Sequence, residues 1–289
     1  MTAATLPFTA PSDKPDARDV VYVQRIDAFG GFDAIRATYT RHSFPPHFHS
    51  TFAIGVMTRG ACALECRGGT YLLRAGHVVL IAPGEAHTGE QVGDEGWSSR
   101  VLYPSPAVVA AARNLETPAS HPLRFRVPIV DDAVLARRIV SVHDALTAAQ
   151  TPLEQETLTV DLVASVFGMH GEPRRERLLR HGPSMAAARD YLHEHSADGV
   201  TLTRLAGIAG LSCFYFLRLF RIAFGVTRHV YLALLRLERA RAMLRTDAPL
   251  AQIAVACGFS DQSHFTRFFK RVYGITPGVY AKQVRTVHW

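Results

Sequence analysis

The strongest constraint on this chain is a duplication near its carboxyl end. Residues 202–227 read LTRLAGIAGLSCFYFLRLFRIAFGVT and residues 250–276 read LAQIAVACGFSDQSHFTRFFKRVYGIT. With one gap they share Leu202/Leu250, Ala206/Ala254, Gly210/Gly258, Ser212/Ser260, Phe216/Phe265, Arg218/Arg267, Phe220/Phe269, Gly225/Gly274 and Thr227/Thr276. Two copies are too few for a solenoid, so each reads as one supersecondary unit. The grammar predicts a helix-turn-helix. Ala206 and Ala254 are small where a second helix crosses closely, and Gly210 and Gly258 suit the tight turn. Ser212 and Ser260 are expected N-caps. Phe216, Leu219 and Phe220, and then Phe265, Phe268 and Phe269, would be buried by the second helix of each copy. Gly225 and Gly274 would stop it in the left-handed conformation. Pro277 is placed to open a final short helix.

The same spacing fixes what the second helices expose. Copy one shows Phe214, Leu217, Arg218 and Arg221. Copy two shows Ser263, Thr266, Arg267 and Lys270, with Gln262 and His264 beside them. Arg, Gln, Ser and Thr on an exposed helix face suit base edges in the major groove of double-stranded DNA. Arg221, Lys270 and Arg271 lie further along and suit phosphates. Residues 229–246 contain no Gly or Pro and predict one continuous helix, about 27 Å long at ~1.5 Å per residue. Such a rod would hold two recognition helices roughly one DNA turn, ~34 Å, apart.

Charge follows the same division. The net charge is +7, yet residues 1–170 carry 14 Lys/Arg against 17 Asp/Glu, whereas residues 184–289 carry 14 against 6. A basic end joined to a mildly acidic one is the asymmetry of a DNA-binding part attached to a sensing part.

Residues 1–19 read as a flexible arm. Residues 20–128 predict short strands, among them Phe52 to Met57, Ala61 to Cys66, Thr70 to Leu73 and Val78 to Ile81. Turns are expected at Arg59-Gly60, Arg67-Gly68-Gly69, Ala75-Gly76 and Pro83-Gly84, and this close spacing argues for a sandwich or barrel. Between 131 and 169 the apolar period becomes helical, with a break near Thr151-Pro152. The charged, Gly/Pro-flanked residues 171–183 read as a linker. The expected domains are therefore 20–170 and 184–289, an α+β arrangement of a barrel with trailing helices and an all-α part. Cys62 and Cys66 share a strand face but lie too far apart for a disulfide. No signal peptide and no membrane-length apolar run is evident, so a cytoplasmic protein with no membrane partner is expected.

Residues 185–284 resemble the AraC/XylS family of bacterial transcription regulators. Ile253-Ala254, Gly258-Phe259-Ser260, Phe265, Arg267, Phe269 and Gly274-Ile275-Thr276-Pro277 carry that resemblance. Copy one is looser, with apolar Phe214 and Leu217 where relatives often carry polar base readers, and Arg228 where a Pro is common. The segment from Arg41 to Gly60, with Gly76 and Pro83-Gly84-x-x-His87, is similar to the cupin-type effector domain fused to many family members.

His47 and His49, two apart, can face one side of a strand, and His87 can join them. Three imidazoles suit Zn²⁺ or Fe²⁺. However, Ala53 and Ile54 stand where metal cupins place a Glu, so no metal or other cofactor is expected. The candidate effector-binding residues are Arg41, His47, His49, Phe52, Glu85 and His87. The resemblance implies a ligand-responsive, sequence-specific DNA-binding regulator, an activator acting with RNA polymerase. It also implies a homodimer paired through the helices at 131–169, and a small-molecule effector of unknown identity. The rival reading is a metal-dependent cupin enzyme, a dioxygenase or isomerase with a helical appendage. Overall the chain is expected not to be an enzyme.

Overall fold

A run of apolar and β-branched residues from 53 to 66 forms one long strand, not the two expected on either side of Arg59-Gly60. Gly60 does not reverse the chain. At φ +70° it sits beside a register shift between Met57 and Arg59, and a Cβ there would overlap the Gly96 carbonyl oxygen. The glycine therefore bends the strand from one sheet into another, as bulges do at barrel corners. The protein is described from a computed structural model covering residues 19–113, 123–173 and 182–285. The expected arm, apart from Asp19, lies outside the described residues.

The strands are β1 (Val20–Ile26), β2 (Phe32–Tyr39), β3 (Phe44–His47), β4 (Ala53–Cys66), β5 (Gly69–Arg74), β6 (Val78–Ile81), β7 (His87–Gln91) and β8 (Trp97–Tyr103). Helix α1 (Pro106–Ala112) and strands β9 (Leu123–Phe125) and β10 (Ile129–Val130) follow. One sheet runs β1-β2-β8-β4-β6-β10, and the far half of β4 pairs with β5 and β7, with β3 beyond. Helices α2 (Ala133–Ala148) and α3 (Pro152–His170) are capped by Asp132 and Thr151, whose side chains accept from Leu135 and Glu154 amides. Strand β11 (Gly171–Pro173) then pairs with β9, so the first three residues of the expected linker belong to the barrel domain. Residues 174–181 lie outside the described set.

The carboxyl part comprises α4 (Gly182–Glu194), α5 (Leu202–Ile208), α6 (Cys213–Phe224), α7 (Arg228–Met243), α8 (Leu250–Ala256), α9 (Gln262–Tyr273) and α10 (Pro277–Arg285). Helix α7 ends at Met243, a little short of the expected rod. Alternation along β4 separates two cores. Ile54 and Val56 face α1–α3, together with Phe52, Phe125 and Phe167. Ala53, Met57, Cys62 and Leu64 face the barrel interior, whose core continues into that of the carboxyl helices. The apolar stripe of α2 and α3, read above as a pairing surface, is largely spent on the first core: Leu135, Ile139, Leu146, Leu162 and Val166 are all buried there.

Candidate functional site

Two helix-turn-helix units form as the repeat requires. Helices α5 and α6 bend by 78° about Gly210, which sits at φ +65°. Gly225 and Gly274 close α6 and α9 in the left-handed region, and their amides donate to Arg221 and Lys270 carbonyls. Ser212 caps α6 by accepting from the Tyr215 amide. In copy two the cap is Asp261 rather than Ser260. Its carboxylate accepts from the His264 amide at 2.7 Å, while Ser260 donates to Asp261. The extra residue of copy two therefore lies in the turn, and an ionised cap replaces a hydroxyl where α9 begins. The His264 amide, helped by the Ser260 hydroxyl, holds the Asp261 carboxyl below its ordinary range.

The outward faces match the spacing argument. Phe214, Leu217, Arg218, Arg221, Gln262, Ser263, His264, Arg267 and Arg271 are exposed, and Thr266 and Lys270 are half-buried. Phe216, Phe220, Phe265 and Phe269 are fully buried beneath them. Phe214 is 81% exposed and Ile222 63%, so α6 carries an apolar outer surface that α9 lacks.

The barrel encloses a cavity of about 130 Å³. His47, His49 and His87 form one wall, with ring centroids 4.3, 5.1 and 6.4 Å apart. Each Nδ1 faces a backbone carbonyl: His47 that of Pro45 at 2.8 Å, His49 that of Thr51 at 2.7 Å, His87 that of Glu85 at 2.9 Å. Burial, followed by the neighbouring imidazole, pushes all three down to about 3, so the rings are neutral. The other sequence candidates lie elsewhere. Arg41 lines a surface cleft with Arg59, Gln91, Asp94 and Glu95. Phe52 stacks on Phe125 and Phe167 in the other core, because the one-residue step to Ala53 reverses its face. The Glu85 carboxylate pairs with Arg67 at 2.8 Å, and its backbone carbonyl meets His87.

Among the described residues no three His, Cys, Asp or Glu side chains converge as ligands. Ala53, at one of the two positions where a fourth ligand would be expected, instead contributes apolar wall.

The sequence reading did not bring the carboxyl domain to this cavity. Arg241, Val272, Tyr273, Ile275 and Tyr280 line it alongside barrel residues. Asp33 of β2, only 1% exposed, accepts from Arg241 and from the Tyr280 hydroxyl, each at 2.6 Å, and from Arg25 at 3.2 Å. Burial alone would raise the Asp33 carboxyl. Arg241, Tyr280 and Arg25 outweigh it and hold the group below its ordinary range. Ser50 donates to Glu238 at 2.7 Å, Phe48 packs on Tyr231, and the Gln283 amide bonds Val21 and Val23 on the edge of β1. One sequence signal existed: Arg241 falls on the buried stripe of α7, in step with Leu234 and Leu237.

Comparison with known proteins agrees with both halves. The AraC-like ligand binding domain matches residues 29–163, and a helix-turn-helix domain matches residues 205–283. The transcriptional regulator YbfI of Bacillus subtilis is 27% identical over 241 residues, covering 83% of this chain and 88% of its own. The transcriptional activator RhaS of Escherichia fergusonii is 27% identical over 259 residues, covering 84% and 90%. Among solved structures, apo ToxT of Vibrio cholerae superposes with a TM-score of 0.56 at 15% identity, over 94% of this chain and 99% of that one. ToxT bound to an unsaturated fatty acid gives 0.51 at 16%. At those identities the ToxT likeness concerns the fold. Matched in both halves and along most of its length, the chain is a transcriptional regulator of the AraC family, an AraC-like ligand-binding domain joined to a DNA-binding domain of two helix-turn-helix units.

Proposed function

We propose that this regulator senses a small molecule in the cavity between barrel and carboxyl helices and activates transcription by changing how α6 and α9 engage promoter DNA. One observation carries the reading: Val272 and Tyr273 form both cavity wall and the last turn of α9, the helix that presents Arg267. An occupant of the cavity touches the recognition helix directly. A ligand that binds one arrangement of that wall better than another shifts its population, and DNA affinity follows. The naming of RhaS as an activator supports activation, and RNA polymerase is the partner that this reading requires. ToxT bound to a fatty acid supports a largely apolar effector. In this reading Gln262, Ser263, His264, Thr266 and Arg267 read bases. Phe214 and Leu217 meet thymine methyls, Arg218 reaches a base edge, and Arg221, Lys270 and Arg271 hold phosphates. The chain pairs as a homodimer through the outer face of α3, where Leu153 and Val160 stay exposed.

Genome-wide mapping of bound sites, followed by a reporter driven from the strongest of them, tests the proposal. The expected result is discrete promoter occupancy and transcription that rises with the protein. Occupancy without sequence preference would overturn it.

A further inference from the structure

The polarity of the histidine wall says what chemistry the cavity accepts. This step rests on the cavity being the effector site. A backbone carbonyl can only accept, so each Nδ1 facing one carries the proton and each Nε2 is left as a bare lone pair. Among the described residues, Nε2 of His49 is buried with no hydrogen-bond partner. Buried acceptors are seldom left unmet, and such a group is a candidate for satisfaction by a ligand. Trp97, on the same cavity, presents the opposite deficit, a buried indole N–H without an acceptor among the described residues.

Charge narrows the class. A carboxylate brings only lone pairs and would face neutral imidazoles that burial holds at about 3. A cation would enter beside Arg241 with no carboxylate to spare, since Asp33 already serves Arg241, Tyr280 and Arg25. A hydroxyl can meet either deficit, since it donates once and still accepts. Phe44, Met57, Leu64 and Ile81 make much of the remaining wall apolar. A cavity of about 130 Å³ is ring-sized, since dry cavities near 150 Å³ take up benzene.

We propose that the effector is an uncharged, ring-sized apolar molecule whose hydroxyl group donates to the unprotonated Nε2 of His49.

Three ring-matched probes test this on the full chain by calorimetric titration: catechol, toluene and benzoate. Catechol is expected to bind roughly tenfold or more tighter than toluene, the worth of about one buried hydrogen bond, and benzoate more weakly than catechol. His49→Phe should keep toluene binding, which also reports that the cavity is folded, and lose most of the catechol advantage. Should that variant fail to fold, the wild-type ranking and a nitrogen-detected NMR assignment of the three tautomers decide alone. Toluene or benzoate matching catechol, or His49→Phe preserving its advantage, would overturn the hydroxyl assignment and leave the effector cavity standing. Tight stoichiometric Zn²⁺ binding lost in His49→Phe would replace it with a metal site. A failure of all three probes to bind at millimolar concentration would remove the cavity reading and the proposal together.

Discussion

At the scale of single residues, the three cavity histidines make stability depend on pH. Their pKa values are depressed to about 3 in the folded protein, against an ordinary 6.5 in the unfolded chain. Below 6.5 the unfolded chain takes up protons that the folded one refuses. Stability is therefore full above that pH and falls as pH drops from 6.5 toward 3. Each histidine should cost ~1 kcal/mol between pH 7.5 and 5.5. Urea unfolding at the two pH values checks this, and His49→Phe should remove about one third of the difference. An equal loss in the variant would mean that the rings are not titrating. These histidines were legible because spacing alone puts residues 47 and 49 on one face and 87 after a turn. Asp33 was not, since its partners lie 208 and 247 residues away and no local pattern encodes such a contact. Arg41, between β2 and β3, was named with no spacing argument behind it and lines the surface cleft.

At the scale of elements, the two recognition helices divide by chemistry. Helix α9 exposes Gln262, Ser263 and Arg267, while α6 exposes Phe214 and Leu217 beside Arg218. Arg267→Ala should weaken specific binding by ~1–3 kcal/mol and relax one base position. Lys270→Ala should instead weaken all sequences alike and flatten the logarithmic salt dependence by about one unit. Competitive titration against selected and scrambled duplexes at several salt concentrations separates the two, and identical behaviour of both variants would contradict the division. Most elements could be read from sequence because helix caps and glycine turns are local devices. The exceptions were of another kind. Gly60 looks like a turn signal but bends a continuous strand, because the close approach of Gly96 is invisible in a linear pattern. The Asp261 cap was hidden by the equivalence of Ser212 with Ser260, which placed the extra residue on the wrong side of the turn.

At the scale of the whole molecule, the two domains share one buried electrostatic joint. Asp33 belongs to the barrel, Arg241 and Tyr280 to the carboxyl helices, and the Arg241 side chain is only 10% exposed. Removing one member of a buried pair leaves its partner charged and unmatched, which costs ~3–5 kcal/mol. Among the described residues, Asp33→Ala leaves Arg241 with Glu238, at 3.4 Å, as its one acidic partner. It should therefore uncouple the domains more than it unfolds either one. Each keeps a core of its own, since Ile54, Phe125 and Leu162 pack on the sheet and Phe216, Leu237 and Phe265 within the helices. The expected outcome is two calorimetric transitions in place of one, with a larger radius of gyration in small-angle scattering. Acid should act in the same direction. The Asp33 carboxyl sits below its ordinary range, so its contribution is complete above that range and disappears as pH falls through the lowered value. The proposed effector cavity is walled by both sides of this joint, Asp33 included, so the variant should also bind catechol more weakly although no cavity histidine has changed. Retention of a single transition and unaltered catechol affinity in Asp33→Ala would show that the joint does not couple the effector cavity to the DNA-reading helices.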